Sequence, residues 1–312
     1  MQMVSLFFKL IRWPNLVIIF LTQLLFLVCI VQPLGRFEQL AGSPGGSVYI
    51  LIAIAYMLLA AGGYIINDYF DLDIDLVNKP GKIFITNGIS HASALGIYVV
   101  MNIATLGAGF WICKQLGNWT ILYCIAICMF LLYCYSAYFK KQFLIGNIVV
   151  AAISSSAIPV LTLIEAGSTN MPAYTRVNLW RITLLYTFFA FIISFARELV
   201  KDIEDADGDR QYQARTIPIV LGCNAAKFIV IGCLSCLVLT LVSLQPALWG
   251  RKSSAIALSL YSIGLVILPL VLVTREVFLA SMIQDYRKLS KWMKLVMVTG
   301  ILSMVFIRYI FV

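Results

Sequence analysis

Nine apolar runs, each long enough to cross a bilayer, dominate this chain: about 15–34, 47–67, 92–113, 119–139, 143–164, 179–200, 225–246, 254–273 and 293–311. A helix needs roughly 20 such residues to span the hydrocarbon. The expected fold is therefore all-α, a polytopic membrane protein of nine transmembrane helices. Charged residues make up 12% of the chain, against about 25% in soluble proteins. Too little sequence remains between the runs for a soluble domain, so residues 1–312 read as a single transmembrane domain. Lys9 and Arg12 precede the first run, but that run is longer than a signal-peptide core and no small-residue cleavage site follows. It is expected to remain as the first helix.

The basic residues orient the bundle. With nine spans, the N-terminus and the loops after the even-numbered spans share one side, and sixteen of the 23 Lys and Arg residues lie there. The positive-inside rule puts that side in the cytoplasm, in a membrane of the bacterial or archaeal inner type. The net charge of +9 then reflects topology and attraction to lipid phosphate, and a nucleic-acid partner is not expected. The eight cysteines lie mostly inside spans, where Cys233-x-x-Cys236 reads as packing. The single histidine, His91, excludes a multi-histidine metal centre.

Ten of the fourteen acidic residues fall in two windows, each at the cytoplasmic end of an even-numbered span. One is Asn67-Asp68-Tyr69-Phe70-Asp71-Leu72-Asp73-Ile74-Asp75 and the other runs from Arg197 to Asp209. Four spans separate them, as though a four-helix unit had been duplicated and a ninth helix added. Such a repeat brings the two acidic ends face to face across a cavity. On a helix, Asp68, Asp71 and Asp75 share one face, with Tyr64 a turn below, Asn67 on the flank and Asp73 pointing away. Glu198, Asp202, Asp205 and Asp209 likewise share a face, opposite Asp207.

Like charges crowded on one face repel unless a cation sits among them, so each window reads as half of a divalent-metal site. Oxygen-only ligands favour Mg²⁺, Mn²⁺ or Ca²⁺ over zinc. A calcium-binding loop beginning at Asp71 fails, because Leu76 stands where glycine is needed and Lys82 where glutamate is needed. Lys79, Lys140, Lys141, Arg197, Lys201 and Arg215 flank the carboxylates, and carboxylate-held metal with Lys and Arg around it is what a bound diphosphate requires. Other readings stay open: a solvated acidic loop, a scaffold, and a membrane transporter, although transporter carboxylates usually lie near the midplane.

These residues carry a resemblance. Asn67-Asp68-x-x-Asp71-x-x-x-Asp75, followed by Asn78-Lys79-Pro80, is similar to the first aspartate motif of the UbiA superfamily of intramembrane prenyltransferases, with Lys for the usual Arg. Asp202, Asp205 and Asp209 resemble its second motif, and Tyr135 with Lys140 its Tyr–Lys element after the fourth helix. That spacing is one residue longer than the common form, so either Lys140 or Lys141 fills the role. The resemblance extends along essentially the whole chain. It implies nine helices around a central cavity and two Mg²⁺ ions, one held by Asp68, Asp71 and Asp75, the other by Asp202, Asp205 and Asp209, with Asn67 and Glu198 assisting. It also implies a polyprenyl diphosphate donor, whose diphosphate meets Lys79, Lys140, Lys141, Lys201 and Arg197. The rings of Tyr64, Phe70, Tyr133, Tyr135 and Phe195 are candidates to face an allylic cation.

The expected acceptor is lipophilic. Asn87-Gly88-Ile89-Ser90, and the second window followed by Thr216-Ile217-Pro218, look most like members that alkylate geranylgeranylglyceryl phosphate to make a diether lipid. Prenylation of an aromatic quinone precursor is the alternative. The segment from Gly81 to Gly88 departs from the Arg-Pro and Pro-Ser-Gly of typical members. The basic segment 275–294 receives no role from these patterns.

Overall fold

The computed structural model describes residues 2–35, 46–78, 84–86, 88–166, 171–249 and 253–311. Among them the only extended pairing is an isolated bridge between Ile85 and Ile89; the rest is helices and their turns. A short helix, α1 (Gln2–Leu10), leads into eight helices long and apolar enough to cross a membrane. These are α2 (Trp13–Leu34), α3 (Gly46–Phe70), α5 (His91–Leu116), α6 (Thr120–Ala137), α9 (Ala173–Glu204), α12 (Cys223–Leu248), α13 (Ser253–Leu279) and α14 (Ile283–Ile310). Between them lie α4 (Leu72–Asn78), α10 (Ala206–Gln211) and α11 (Ile217–Leu221).

The crossing expected at 143–164 is broken. It consists of α7 (Ile145–Ser155) and α8 (Pro159–Ala166), bent by 49°. Pro159 has no N–H to continue the ladder and suits the first position of a new helix. Backbone groups freed by the break must find partners inside the protein. Gln23 of α2 donates from Nε2 to the carbonyl of Ala157 at 2.9 Å, while the Ser155 and Ser156 hydroxyls donate to the carbonyls of Ala152 and Ile153. Counting this bent pair as one span makes nine.

Two spans exceed their apolar runs by the most. The run expected at 293–311 begins ten residues earlier as helix, at Ile283, and the one at 179–200 extends to Ala173 and Glu204. Charged and polar residues mask these ends in a hydropathy reading, Lys201 to Glu204 and Arg176 in α9 and Asp285 to Lys291 in α14. One large core gathers Phe26, Ile30, Ile52, Tyr56 and Leu161, and a second gathers Ile193, Leu199, Val230, Leu270 and Met293. A smaller cluster of Leu10, Ile65, Ile85 and Ala94 fastens α1 to the end of α3 that carries the first acidic window.

Candidate active site

The acidic windows lie where helices break and resume. α3 stops at Phe70, Asp71 occupies the turn, and α4 follows. The i→i−4 bonds nevertheless continue, from the Asp71 N–H to Asn67 O at 3.0 Å and from the Asp75 N–H to Asp71 O at 2.8 Å. In the second window the Asp205 N–H reaches Lys201 O at 2.9 Å and the Asp209 N–H reaches Asp205 O at 3.1 Å. Helical register is thus retained through both breaks, which keeps the spaced acids on their faces. Asp73 and Asp207 are exposed, as the spacing predicts, and Asp71 and Asp209 are buried. The extensions α4 and α10 pack on each other, tied by the Tyr212 hydroxyl donating to Asp73 O at 2.8 Å. The two windows therefore form one site.

Asp71 is its centre. It accepts from Asn67 Nδ2 at 2.6 Å and pairs with Lys140. Lys140 sits in a tight turn, Phe139–Lys141, just after α6. Burial opposes the charge on Lys140, but Asp71, Tyr135 and Asp75 outweigh it and raise its pKa. Lys141 is exposed, and its carbonyl accepts the Arg215 N–H at 2.8 Å. The geometry thus separates two lysines that adjacent positions leave equivalent in the sequence. Tyr135 lies within electrostatic reach of Glu198, Lys140, Asp202 and Asp71.

Across the site Asp202 accepts from Asn147 Nδ2 at 2.6 Å, and Glu198 is shared by Lys201 at 2.6 Å and Arg197 at 3.3 Å. Asp75, Asp205 and Asp209 are also engaged with neighbours. Asp209 is close enough to Asp202 for their charges to interact. Lys79 lies outside the described residues. Of the aromatics, Phe70 and Tyr133 make an edge-on pair at 5.9 Å, and Phe195 stacks on Phe191 at 6.5 Å.

Three residues join the site that spacing alone does not single out. Arg12, at the junction of α1 and α2, donates from Nη2 to Asp68 Oδ1 at 2.6 Å and covers one face of the Tyr64 ring at 4.9 Å. Its backbone is left-handed (φ 52°, ψ 50°), which costs a non-glycine residue on the order of 1 kcal/mol. Burial disfavours its charge, but Asp68, Tyr64 and Glu198 outweigh this and raise its pKa. One cation thus bonds to the first acidic window and feels the charge of the second. Asn15 donates from Nδ2 to the Tyr64 hydroxyl at 3.0 Å, and Asn147 holds Asp202. The signal for the asparagines in the sequence is their position in apolar runs, where polar side chains seldom lack a partner.

Asp68, Asp71 and Asp202 each commit one carboxylate oxygen to these contacts, and the other accepts no hydrogen bond among the described residues. Among those residues no three Asp, Glu, His or Cys side chains form a closed metal cage. This donor set fits a hard divalent ion that takes few protein ligands and fills its shell with water and substrate phosphates, as Mg²⁺ does.

Gly146 sets the position of Lys140. A Cβ there would stand 2.6 Å from Phe139 O and 3.0 Å from Lys140 Cα, so any side chain pushes the lysine's turn away. Gly146→Ala is expected to lower turnover by about 10- to 100-fold, the scale of a misplaced catalytic group. Steady-state kinetics on the purified variant, compared with a melting curve, check this.

Residues 37–298 match the model of the UbiA prenyltransferase family. A digeranylgeranylglyceryl phosphate synthase of Thermococcus gammatolerans is 33% identical over 200 residues, 64% of this chain and 66% of that protein. A solved structure concerned with digeranylgeranylglyceryl phosphate synthase in membranes superposes with a TM-score of 0.62 at 20% identity, covering 98% of this chain and 99% of that one. A UbiA homologue from Archaeoglobus fulgidus bound to GPP and Mg²⁺ superposes with a TM-score of 0.58 at 15% identity, covering 96% and 99%.

Proposed function

The chain belongs to the UbiA prenyltransferase family, and from that premise we propose that it transfers a polyprenyl group from its diphosphate to the free hydroxyl of geranylgeranylglyceryl phosphate, in ether-lipid synthesis. The observation that carries this reading is the convergence of both acidic windows, with Lys140, Arg12 and Lys201 around them, at one end of a multi-pass membrane bundle. Asp68, Asp71 and Asp75 on one wall, and Asp202, Asp205 and Asp209 on the other, would hold two Mg²⁺ ions, with Asn67 and Glu198 assisting. Bound there, the metal neutralises the diphosphate and makes it a better leaving group.

Lys140 and Lys201, together with Lys79, take the remaining diphosphate charge. The bond between the allylic carbon and the diphosphate oxygen breaks, and the diphosphate leaves with the electron pair. The acceptor's hydroxyl oxygen then forms the ether bond and gives up its proton. Tyr135, beside Lys140 and both windows, offers a ring face to the positive charge that develops in between, and Tyr64 offers the face that Arg12 does not cover. The surrounding helices exclude water from that cation. The acidic end would face the cytoplasm, by the distribution of basic residues, and the whole chain would act as one domain.

The test is a detergent assay with Mg²⁺, labelled geranylgeranyl diphosphate and either geranylgeranylglyceryl phosphate or 1,4-dihydroxy-2-naphthoate. Labelled diether lipid, lost on chelation, is the expected result. Label on the naphthoate alone overturns the acceptor assignment.

A further inference from the structure

Lys294 lies in a membrane-spanning helix, eleven residues or about 16 Å along α14 from Ile283. It stands where that helix's charged first turns give way to its apolar run, and a lysine turned inward there needs a partner. The side chain is half-buried and turned into the bundle, where it donates to the Asn15 amide oxygen. Among the described residues no carboxylate pairs with it. Asn15 gives its amide proton to Tyr64, so its oxygen is the atom left for the lysine.

A second cation reaches the same helix. Arg197 of α9 donates from Nε to the carbonyl of Ser290 at 3.3 Å, and Ser290 and Lys294, four residues apart, share one face of α14. Lys294 and Arg197 are close enough to repel each other. Arg12 and Lys201 adjoin them, paired with Asp68 and Glu198 respectively. Arg12 and Lys201 thus have carboxylate partners, while Lys294, held by the Asn15 amide oxygen and repelled by Arg197, has no counter-charge among the described residues. Lys140, with Asp71, stands on a different element, the turn after α6.

We propose that Lys294 and Arg197 form a second anion subsite, which holds the phosphate of the lipid acceptor apart from the donor's diphosphate. The inference rests on the glycerol-phosphate reading above. A phosphate monoester carries about −1.5 to −2 charge at neutral pH, which would supply the counter-charge that Lys294 lacks. Arg197 has five donors in a planar fork, enough to touch Glu198, Ser290 and an acceptor phosphate together. The aromatic alternative, 1,4-dihydroxy-2-naphthoate, offers a single carboxylate charge in place of the phosphate's larger one. In the acceptor the phosphate lies one carbon from the hydroxyl-bearing carbon, so anchoring it positions the nucleophile.

Full-length Lys294→Gln and Lys294→Arg, assayed in detergent with Mg²⁺, test the subsite. The KM for geranylgeranylglyceryl phosphate is expected to rise roughly tenfold or more in Lys294→Gln, the effect of losing one charged hydrogen bond, with the donor KM unchanged. Lys294→Arg should restore most of the loss, since the charge is kept. An unchanged acceptor KM in Lys294→Gln overturns the subsite, as does a rise in donor KM of the same size. If the wild-type protein ignores the phosphorylated acceptor altogether, the functional reading fails and the subsite with it. Wild-type turnover combined with an indifferent Lys294→Gln overturns the subsite alone.

Discussion

Asparagine in place of Asp71 should lower prenyl transfer by about 10³-fold or more while the helices stay assembled. Removing one preorganised electrostatic partner of a reacting group typically costs 10²- to 10³-fold, and Asp71 has two such tasks. It orients Lys140 and Asn67, and in the proposed mechanism its second oxygen would help to hold the metal. Asparagine keeps the volume and can still accept from Asn67, so the buried turn is filled. Lys140 loses its counter-charge, and burial, which already opposes its protonation, then acts with less compensation. Its pKa should fall. The raised pKa of the wild-type lysine means that the pair stabilises the fold at neutral pH and below its ordinary lysine value, and loses that contribution only as the pH rises through the raised pKa. Radiolabelled product formation gives the activity, and a thermal melt with and without Mg²⁺ plus donor gives binding. Full activity in Asp71→Asn removes Asp71 from the mechanism; a lost melting transition shows a folding defect instead.

The companion expectation concerns the opposite wall. Asp202→Asn should cost about 10²- to 10³-fold in turnover, with the stabilisation by Mg²⁺ and donor diphosphate reduced together. Asn147 donates to one oxygen of Asp202 at 2.6 Å, and an asparagine side chain can accept the same bond, so the contact between α7 and α9 survives. What is lost is the charge. Ligand that binds only the folded state raises stability by RT ln(1 + [L]/Kd), so weaker binding appears directly as a smaller melting shift. A variant that keeps the wild-type shift and turnover would show that the first window suffices on its own.

The bundle and most of the acidic site are legible in the chain because both depend on short-range order. Span length is a count of apolar residues, and the facing of Asp68, Asp71 and Asp75 is a matter of helical period. The bend within residues 145–166 is hidden from such counting. Its segments are apolar enough to read as one crossing, and only Pro159, with Gln23 reaching over from another helix to Ala157, reveals the break. The full length of α14 is hidden for the opposite reason. Its charged first turns look like loop, yet Lys294 is accommodated inside the bundle by Asn15.

By itself, then, the sequence determined an all-helical membrane bundle, the two acidic faces and the type of ion that oxygen ligands prefer, because hydropathy and helical period are local properties. Only the tertiary structure decided which cation serves which carboxylate. Arg12 meets Asp68 across 56 positions of chain, Lys140 rather than Lys141 meets Asp71 across 69, and Asn147 meets Asp202 across 55. Helix packing makes those encounters, and it fixes the direction of each side chain through contacts that no spacing rule encodes.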